Sequence, residues 1–452
     1  MLKHIHFIGI GGIGVSAIAQ LALKKADKIT GSDAKSSEIT DKLKRLGIDV
    51  KIGHDASYVE GASLVVYSSA IPYDNPELAA ARSKGISVKK RAEFLSLLMA
   101  DKTVVTVSGA HGKTTTSSLA ARLLCGAGFA PTVAVGGILR EDGDNAKSGQ
   151  SSYFVAEADE SDGSFLLYKP DYSIITNIDD EHMDFYKSRD NLLNSFSQFI
   201  SQTKKGGCVF YCRDDEVLAS SVVNSGVRCI SFGFTQEADF YPENVTFLSD
   251  GFVFNCMHRG KLLGEIALNL IGRHNILNVL AVVALGIELG IDFLKISSVL
   301  AGFKGVQRRF QIKYDGLDVK IVDDYAHHPT EILAILEAAS LSLRRRLVVV
   351  FQPHRYTRTS MLLDRFAQCF HKSDHLVITD IYAAGEKVIA GIDSEHVANR
   401  IRAYVKTPVD YVARHNVIDY LKGVICKNDL ILFLGAGDIT KISDEFAGTF
   451  EK

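Results

Sequence analysis

Short apolar runs recur along the chain, each closed by a cluster of Gly, Ser, Asp or His and followed by a segment with helical spacing of its apolar positions. The clearest are His6-Phe7-Ile8, Leu64-Val65-Val66-Tyr67, Val104-Val105-Thr106-Val107, Ser173-Ile174-Ile175-Thr176, Leu347-Val348-Val349-Val350-Phe351 and Ile431-Leu432-Phe433-Leu434. Runs without polar alternation are strands covered on both faces, and their alternation with helices predicts a parallel α/β architecture. Glycine-rich loops follow the first, third and last of these runs, which lie too far apart to share one sheet of ordinary size. A helix over 91–99 runs out before a new strand, and residues 301–305 interrupt a second helical pattern, so boundaries are predicted near 97–101 and 302–306. The resulting segments are 1–98, 99–305 and 306–452.

Composition narrows the class of protein. A chain of 452 residues is long enough for three domains of about 150 each, and 46% hydrophobic with 23% charged residues fits neither a disordered nor a fibrous chain. Lys+Arg 51 against Asp+Glu 53 leaves a net charge of −2, so no cationic field draws it to nucleic acid or to an anionic membrane. The longest uncharged apolar stretch, 275–287, is shorter than the roughly 20 residues a bilayer needs. The first residues run straight into a strand-turn pattern without a signal segment, and the seven cysteines are scattered with no C-x-x-C pair. These features predict a cytoplasmic protein without disulfides or zinc clusters.

Gly9-Ile10-Gly11-Gly12-Ile13-Gly14 follows the first strand and opens a helix predicted over 15–23, with Asp33 19 residues beyond Gly14. Glycines there let backbone approach a diphosphate at the helix N-terminus, whether of a nicotinamide dinucleotide or of another diphosphate, or else form only a tight turn. Ser108-Gly109-Ala110-His111-Gly112-Lys113-Thr114-Thr115 is sharper. It follows a buried strand and reads as a P-loop of the form G-x-x-G-K-T, shorter than the usual spacing because Val107 stands where the upstream glycine is required. Its backbone N–H groups wrap phosphates, Lys113 neutralises the β/γ oxygens, and the Thr114 hydroxyl ligates Mg²⁺. The strand over 153–156 ends in Glu157, best placed of the acidic residues 157–162 to be a metal partner, unless that loop is merely solvated. His182, in the polar cluster 177–184, is either a second metal ligand or a hydrogen-bonded histidine.

Asn275 and Asn278 share one face of an apolar helix and grip a purine or ribose or, the stronger reading from residues alone, serve as caps. In the last block the loops Asp323-Asp-Tyr-Ala-His-His-Pro329 and Gln352-Pro-His-Arg-Tyr-Thr-Arg358 share a rim, where Arg355 and Arg358 present guanidinium forks to a small carboxylate. Arg344-Arg345-Arg346 reads as a solvated run on the opposite rim, and Gly435-Ala436-Gly437-Asp438 as a turn.

Taken in order, these motifs with His274-Asn-Ile-Leu-Asn278 and Gln307-Arg-Arg-Phe310 resemble the Mur ligase family of peptidoglycan synthesis over the whole chain, and within it the alanine-adding members. The resemblance implies three domains: an N-terminal Rossmann-like one for a UDP-sugar, a central P-loop ATPase with a mostly parallel sheet, and a C-terminal Rossmann-like one for an amino acid. It places Gly11, Gly12, Ile13, Gly14, Asp33, Ser68 and Ser69 at the UDP-sugar. Gly109, Ala110, His111, Gly112, Lys113, Thr114, Thr115, Asn275, Asn278, Arg309 and Asp324 fall at ATP. It gives Thr114, Glu157 and His182 to Mg²⁺. Where other members carry a carbamylated lysine stands Ser197, so metal binding without that modification is expected.

The implied reaction joins L-alanine to the carboxylate of UDP-N-acetylmuramate through an acyl phosphate made from ATP. Lys113, Glu157, His182, His327 and Arg355 form the catalytic set, with His354, Arg355 and Arg358 at the alanine and His327 or His328 helping the ammonium lose a proton. A monomer or weak homodimer is expected. A murein-recycling ligase adding a tripeptide is the nearest alternative, and a nicotinamide dehydrogenase a remoter one that leaves the P-loop idle.

Overall fold

A computed structural model describes residues 2–141, 143–316, 318–343 and 345–450. The first sheet contains β1 (Leu2–Ile8), β2 (Ala26–Asp33), β3 (Asp49–Ile52), β4 (Leu64–Tyr67) and β5 (Ser87–Lys90) in the order β3-β2-β1-β4-β5, all parallel. Its chain order reverses beside β1, which puts the turn after β1 at the switch point where α/β sheets take ligands. The helix after that turn is Ile13–Ala22, two residues earlier than its apolar period predicts.

The second sheet begins with β6 (Thr103–Ser108), β7 (Thr132–Ala134), β8 (Ala146–Lys147), β9 (Tyr153–Glu157) and β10 (Tyr172–Ile175). It continues with β11 (Cys208–Cys212), β12 (Cys229–Phe232), β13 (Phe240–Phe247), β14 (Phe252–His258) and β15 (Lys261–Leu268). Its order is β15-β14-β13-β12-β11-β10-β6-β9-β7-β8. Strand β6 is flanked by β9 and β10, parallel to both, so the carboxyl ends of three strands surround the loop that follows it. The edge β13 to β15 gives no unbroken apolar run along the chain because its burial alternates, as in β13.

The third sheet contains β16 (Gln311–Asp315), β17 (Val319–Asp324), β18 (Arg346–Phe351), β19 (His375–Ile378), β20 (Val409–Tyr411) and β21 (Asp429–Leu434) in the order β16-β17-β21-β18-β19-β20. It is parallel except for β16. Leu347, Val349 and Phe351 pack into one core and Val348 and Val350 into the other, so both faces of β18 are covered and each such side chain contributes about 1.5–3 kcal/mol by burial.

Two expectations are corrected here. Asp323 and Asp324 belong to β17, not to the loop after it, because they pair with Phe433 and Leu434 of β21. Arg346 starts β18 and, though its side chain remains partly exposed, pairs at 2.8 Å with Asp429, whose side chain is fully buried, so it is not merely part of a solvated run; Arg344 lies outside the described residues.

The chain forms two compact units. The first holds the segments up to Glu243, Asn255–Ile266 and Leu277–Lys304; the second holds Asn244–Phe254, Ala267–Ile276 and the chain from Gly305 onward. Among the described residues no helix is long and apolar enough to cross a membrane.

Candidate active site

The loop after β6 is built by its neighbour β10. Gly109 sits at φ +124° against Thr176 and the backbone of Asn177, where a Cβ would overlap the Thr176 hydroxyl. Gly112, at φ +83°, lies against Asn278, whose Oδ1 would stand only 2.7 Å from an added Cβ. Both conformations are ones only glycine adopts cheaply. The amides of Ala110 and His111 donate to Asn177 O (3.1 Å) and Asn177 Oδ1 (2.9 Å), and the Asn177 and Thr176 side chains donate back to His111 O at 3.1 and 2.6 Å. The His111 ring meets Asp179 at 2.9 Å. The loop is therefore fixed before any phosphate arrives.

Lys113 opens the helix Lys113–Gly126, and its ammonium donates to Gly109 O (2.6 Å), Ala110 O (3.0 Å) and Glu160 Oε1 (2.8 Å). Burial works against this charge, but Glu160, Asp159 and Glu157 outweigh it and hold the ammonium protonated. Burial pushes the Glu160 carboxyl up to about 7, with Lys113 pulling the other way. The Thr114 hydroxyl donates to Glu157 Oε1 at 3.2 Å, and Gly136 N–H donates to Glu157 Oε2 at 2.9 Å. Glu157 ends β9 because it still pairs with Val107. Glu160, Glu181 and His182 form a neighbouring group whose ligand atoms lie within 4.8 Å of one another. Ser197, on the helix Arg189–Ser201, donates to Leu193 O at 2.9 Å.

The turn after β1 has no lysine or acidic cluster of this kind. Its helix has Gly12 at the N-cap with no side-chain cap, Gly9 and Ile10 donate to Ser32 O (2.8 and 3.0 Å), and Gly11 donates to Asp33 Oδ2 at 2.9 Å. Thus Asp33 holds the turn directly. Arg91 lies over Gly14 and reaches Asp159 at 3.9 Å, linking the turn to the acidic loop after β9. A cavity of about 260 Å³ lies beside it, lined by Ser69, Lys90, Arg91, Asp162 and Ser164 among others. Ser68 follows β4, where its hydroxyl accepts from Ala70 N–H. No motif pointed to Arg91, and Asn177 was legible only as part of a polar cluster.

In the second unit, Asp324 accepts from Phe310 N–H (2.6 Å) and Ala326 N–H (2.8 Å), and burial raises its carboxyl to about 6 against the pull of Arg309. Arg309 lies 5.3 Å from the Tyr325 ring centre and 3.7 Å from Glu331. His327 and His354 meet edge to face at 5.8 Å, and Arg358 donates to His354 Nδ1 at 3.3 Å. Burial, with His327, Arg358 and Arg355 nearby, lowers His354 to about 3, so it is a neutral acceptor. Arg355 donates through Nε to Glu386 at 2.6 Å, and His328 is fully buried. Asn275 donates to Ile271 O at 2.7 Å, whereas Asn278, one turn on, abuts Gly112, so the two amides do different work.

Three family models cover the chain in succession: the Mur ligase family catalytic domain over 4–103, the Mur ligase middle domain over 107–286 and the Mur ligase glutamate ligase domain over 308–437. The chain belongs to the Mur ligase family. This Mur ligase is 44% identical over 444 residues to the UDP-N-acetylmuramate–L-alanine ligase of Geotalea uraniireducens, covering 98% of this chain and 97% of that one. It is 45% identical to the ligase of the same name from Desulfosudis oleivorans, with the same coverage. Among solved structures it resembles UDP-N-acetylmuramate-alanine ligase MurC of Thermotoga maritima, with a TM-score of 0.85 and 30% identity over 100% of this chain and 99% of that one. A murein peptide ligase from Psychrobacter arcticus, at TM-score 0.72 and 22% identity over 99% of this chain and 98% of that one, shares the fold.

Proposed function

We propose that this Mur ligase joins L-alanine to the carboxylate of UDP-N-acetylmuramate, converting ATP to ADP and phosphate. What carries the reading is its likeness, over 98% of its length, to ligases named for that acid and that amino acid. The P-loop supplies the physical counterpart.

The oxygen donors of Thr114 and Glu157, 3.2 Å apart at the mouth of the second sheet, suit a hard cation such as Mg²⁺, and Glu160, Glu181 and His182 offer a second position. Mg²⁺ bound there neutralises phosphate oxygens. Lys113 exchanges its bonds to Gly109 O and Ala110 O for the terminal phosphates, and backbone amides of the loop hold the rest of the chain of phosphates. A carboxylate oxygen of the sugar acid attacks the γ-phosphorus, the bond to ADP breaks, and an acyl phosphate forms.

The neutral amine of alanine then attacks that carbonyl, phosphate leaves, and the nitrogen gives up its proton. Arg355 and Arg358 orient the alanine carboxylate, and His327, held by Tyr325 O at 3.0 Å, or the neighbouring His328 receives the proton. Arg309 and Asp324 serve the nucleotide, Asn278 steadies the P-loop at Gly112, and the turn Gly11 to Gly14 with Asp33, Ser68 and Ser69 holds the UDP moiety.

The test is phosphate release from ATP with UDP-N-acetylmuramate. Release that requires L-alanine supports the reading. Release driven instead by the tripeptide L-alanyl-γ-D-glutamyl-meso-diaminopimelate overturns it in favour of a recycling ligase.

A further inference from the structure

We infer that Glu77, with His6, Ser32 and His54, is a positioning unit for the UDP-sugar site, an inference that rests on assigning that site to the turn after β1. Glu77 lies in the first turn of the helix Pro76–Ser83 and is completely buried. Its carboxylate accepts from His6 Nε2 at 2.6 Å, from His54 Nδ1 at 2.6 Å and from the Ser32 hydroxyl at 2.8 Å. Among the described residues its ion-pair partners are these two histidines. A buried carboxylate without Lys or Arg survives by accepting several hydrogen bonds, and the N-terminal end of its own helix adds to that.

The network continues beyond His6. His6 Nδ1 meets the Thr30 hydroxyl at 2.7 Å, and Thr30 meets His4 Nε2 at 2.8 Å. The direction of donation along this chain follows the histidine tautomers. Burial lowers the pKa of His4 against the pull of a hydrogen bond to the Gly61 backbone. Glu77 is thus the sink in which donors from β1, from β2 and from the loop after β3 converge.

Those three places frame the turn. Ser32 O takes the amides of Gly9 and Ile10, Asp33 takes the amide of Gly11, and Gly53 N–H, just before His54, donates to Asp33 O at 2.8 Å. A single buried carboxylate on a separate helix therefore sets the strand ends on which the glycine turn rests. Preorganisation of this kind appears in affinity for the ligand and leaves the chemical step alone.

The experiment compares Glu77→Gln with the parent enzyme in the full chain. Glutamine keeps the shape but offers an N–H where donors already point. The KM for UDP-N-acetylmuramate is expected to rise about tenfold, less than the roughly hundredfold that a 1 Å misplacement can cost, with kcat and the KM for ATP unmoved. Lower thermal stability with an unchanged KM would show that the cluster only packs, and would overturn the inference. Should Glu77→Gln fail to fold, the half-buried His54 provides the second variant: His54→Gln must raise the same KM, and an unchanged value is equally fatal. Gly11→Ala separates the two ideas. An unmoved KM there removes the UDP-sugar from this turn, whereas a raised KM there, with none from the network variants, removes only the positioning role.

Discussion

Two glycine turns in this ligase join a strand to a helix, and they differ in what surrounds them. The turn after β1 is held by backbone amides on Ser32 O and by Asp33, and its helix starts with Gly12 and no side-chain cap. The turn after β6 is held by Asn177, opens into Lys113 and Thr114, and faces Glu157, Glu160, Glu181 and His182. The same backbone device serves both. The second turn adds a protonated amine and a set of oxygen donors, which suit the proposed phosphoryl transfer; on the proposed reading the first would only have to hold a diphosphate that does not react.

The sharpest way to break this contrast is to remove the amine. Lys113→Ala is expected to lower phosphate release by at least about a thousandfold, the scale on which a cation at a transferring phosphoryl group acts. UDP-N-acetylmuramate binding, followed by calorimetry, should persist. Loss of that binding in the folded variant would mean that the two turns are not separate sites. A smaller effect is expected of Glu157→Gln, which keeps the contact with Thr114 but removes a charge. The magnesium concentration giving half-maximal rate should rise by about tenfold to a hundredfold, as removal of a partner in a metal site typically does. An unchanged magnesium titration would move the metal away from the Thr114–Glu157 pair.

How much of this was legible depends on whether a residue works through its neighbours in sequence or in space. Strands buried on both faces announce themselves as unbroken apolar runs, so β6, β10, β18 and β21 were readable, and the P-loop was readable because its glycines and Lys113 act within a few positions. Glu157 could be found as the first acid at the end of an apolar run. Arg91 and Glu77 could not, and Asn177 only as one of a polar cluster, because each meets its partners from a different strand or helix: Asn177 reaches His111 from the end of β10, and Glu77 gathers His6, Ser32 and His54 from three places. Buried polar groups pair wherever topology brings them, with no period to betray it. The pairing of Arg346 was hidden for the same reason, since Asp429 lies in another strand.

The finest test of the contrast is the cost of a methyl group in each turn. At Gly109, φ is +124° and a Cβ would overlap the Thr176 hydroxyl and approach the Asn177 backbone to 2.9 Å. Backbone held by two strands cannot give way, so strain and overlap together should destabilise Gly109→Ala by about 3 kcal/mol in denaturant unfolding. At Gly11 the nearest atoms to a Cβ are Asp33 Oδ2 at 2.9 Å and Thr40 Cγ2 at 3.1 Å, both on side chains. Those can turn aside, so Gly11→Ala should cost about 1 kcal/mol or less, seen mainly as weaker hold of Asp33 on the turn. Equal costs at the two positions would mean that the first turn is braced as rigidly as the second, and that the difference between them lies in charge alone.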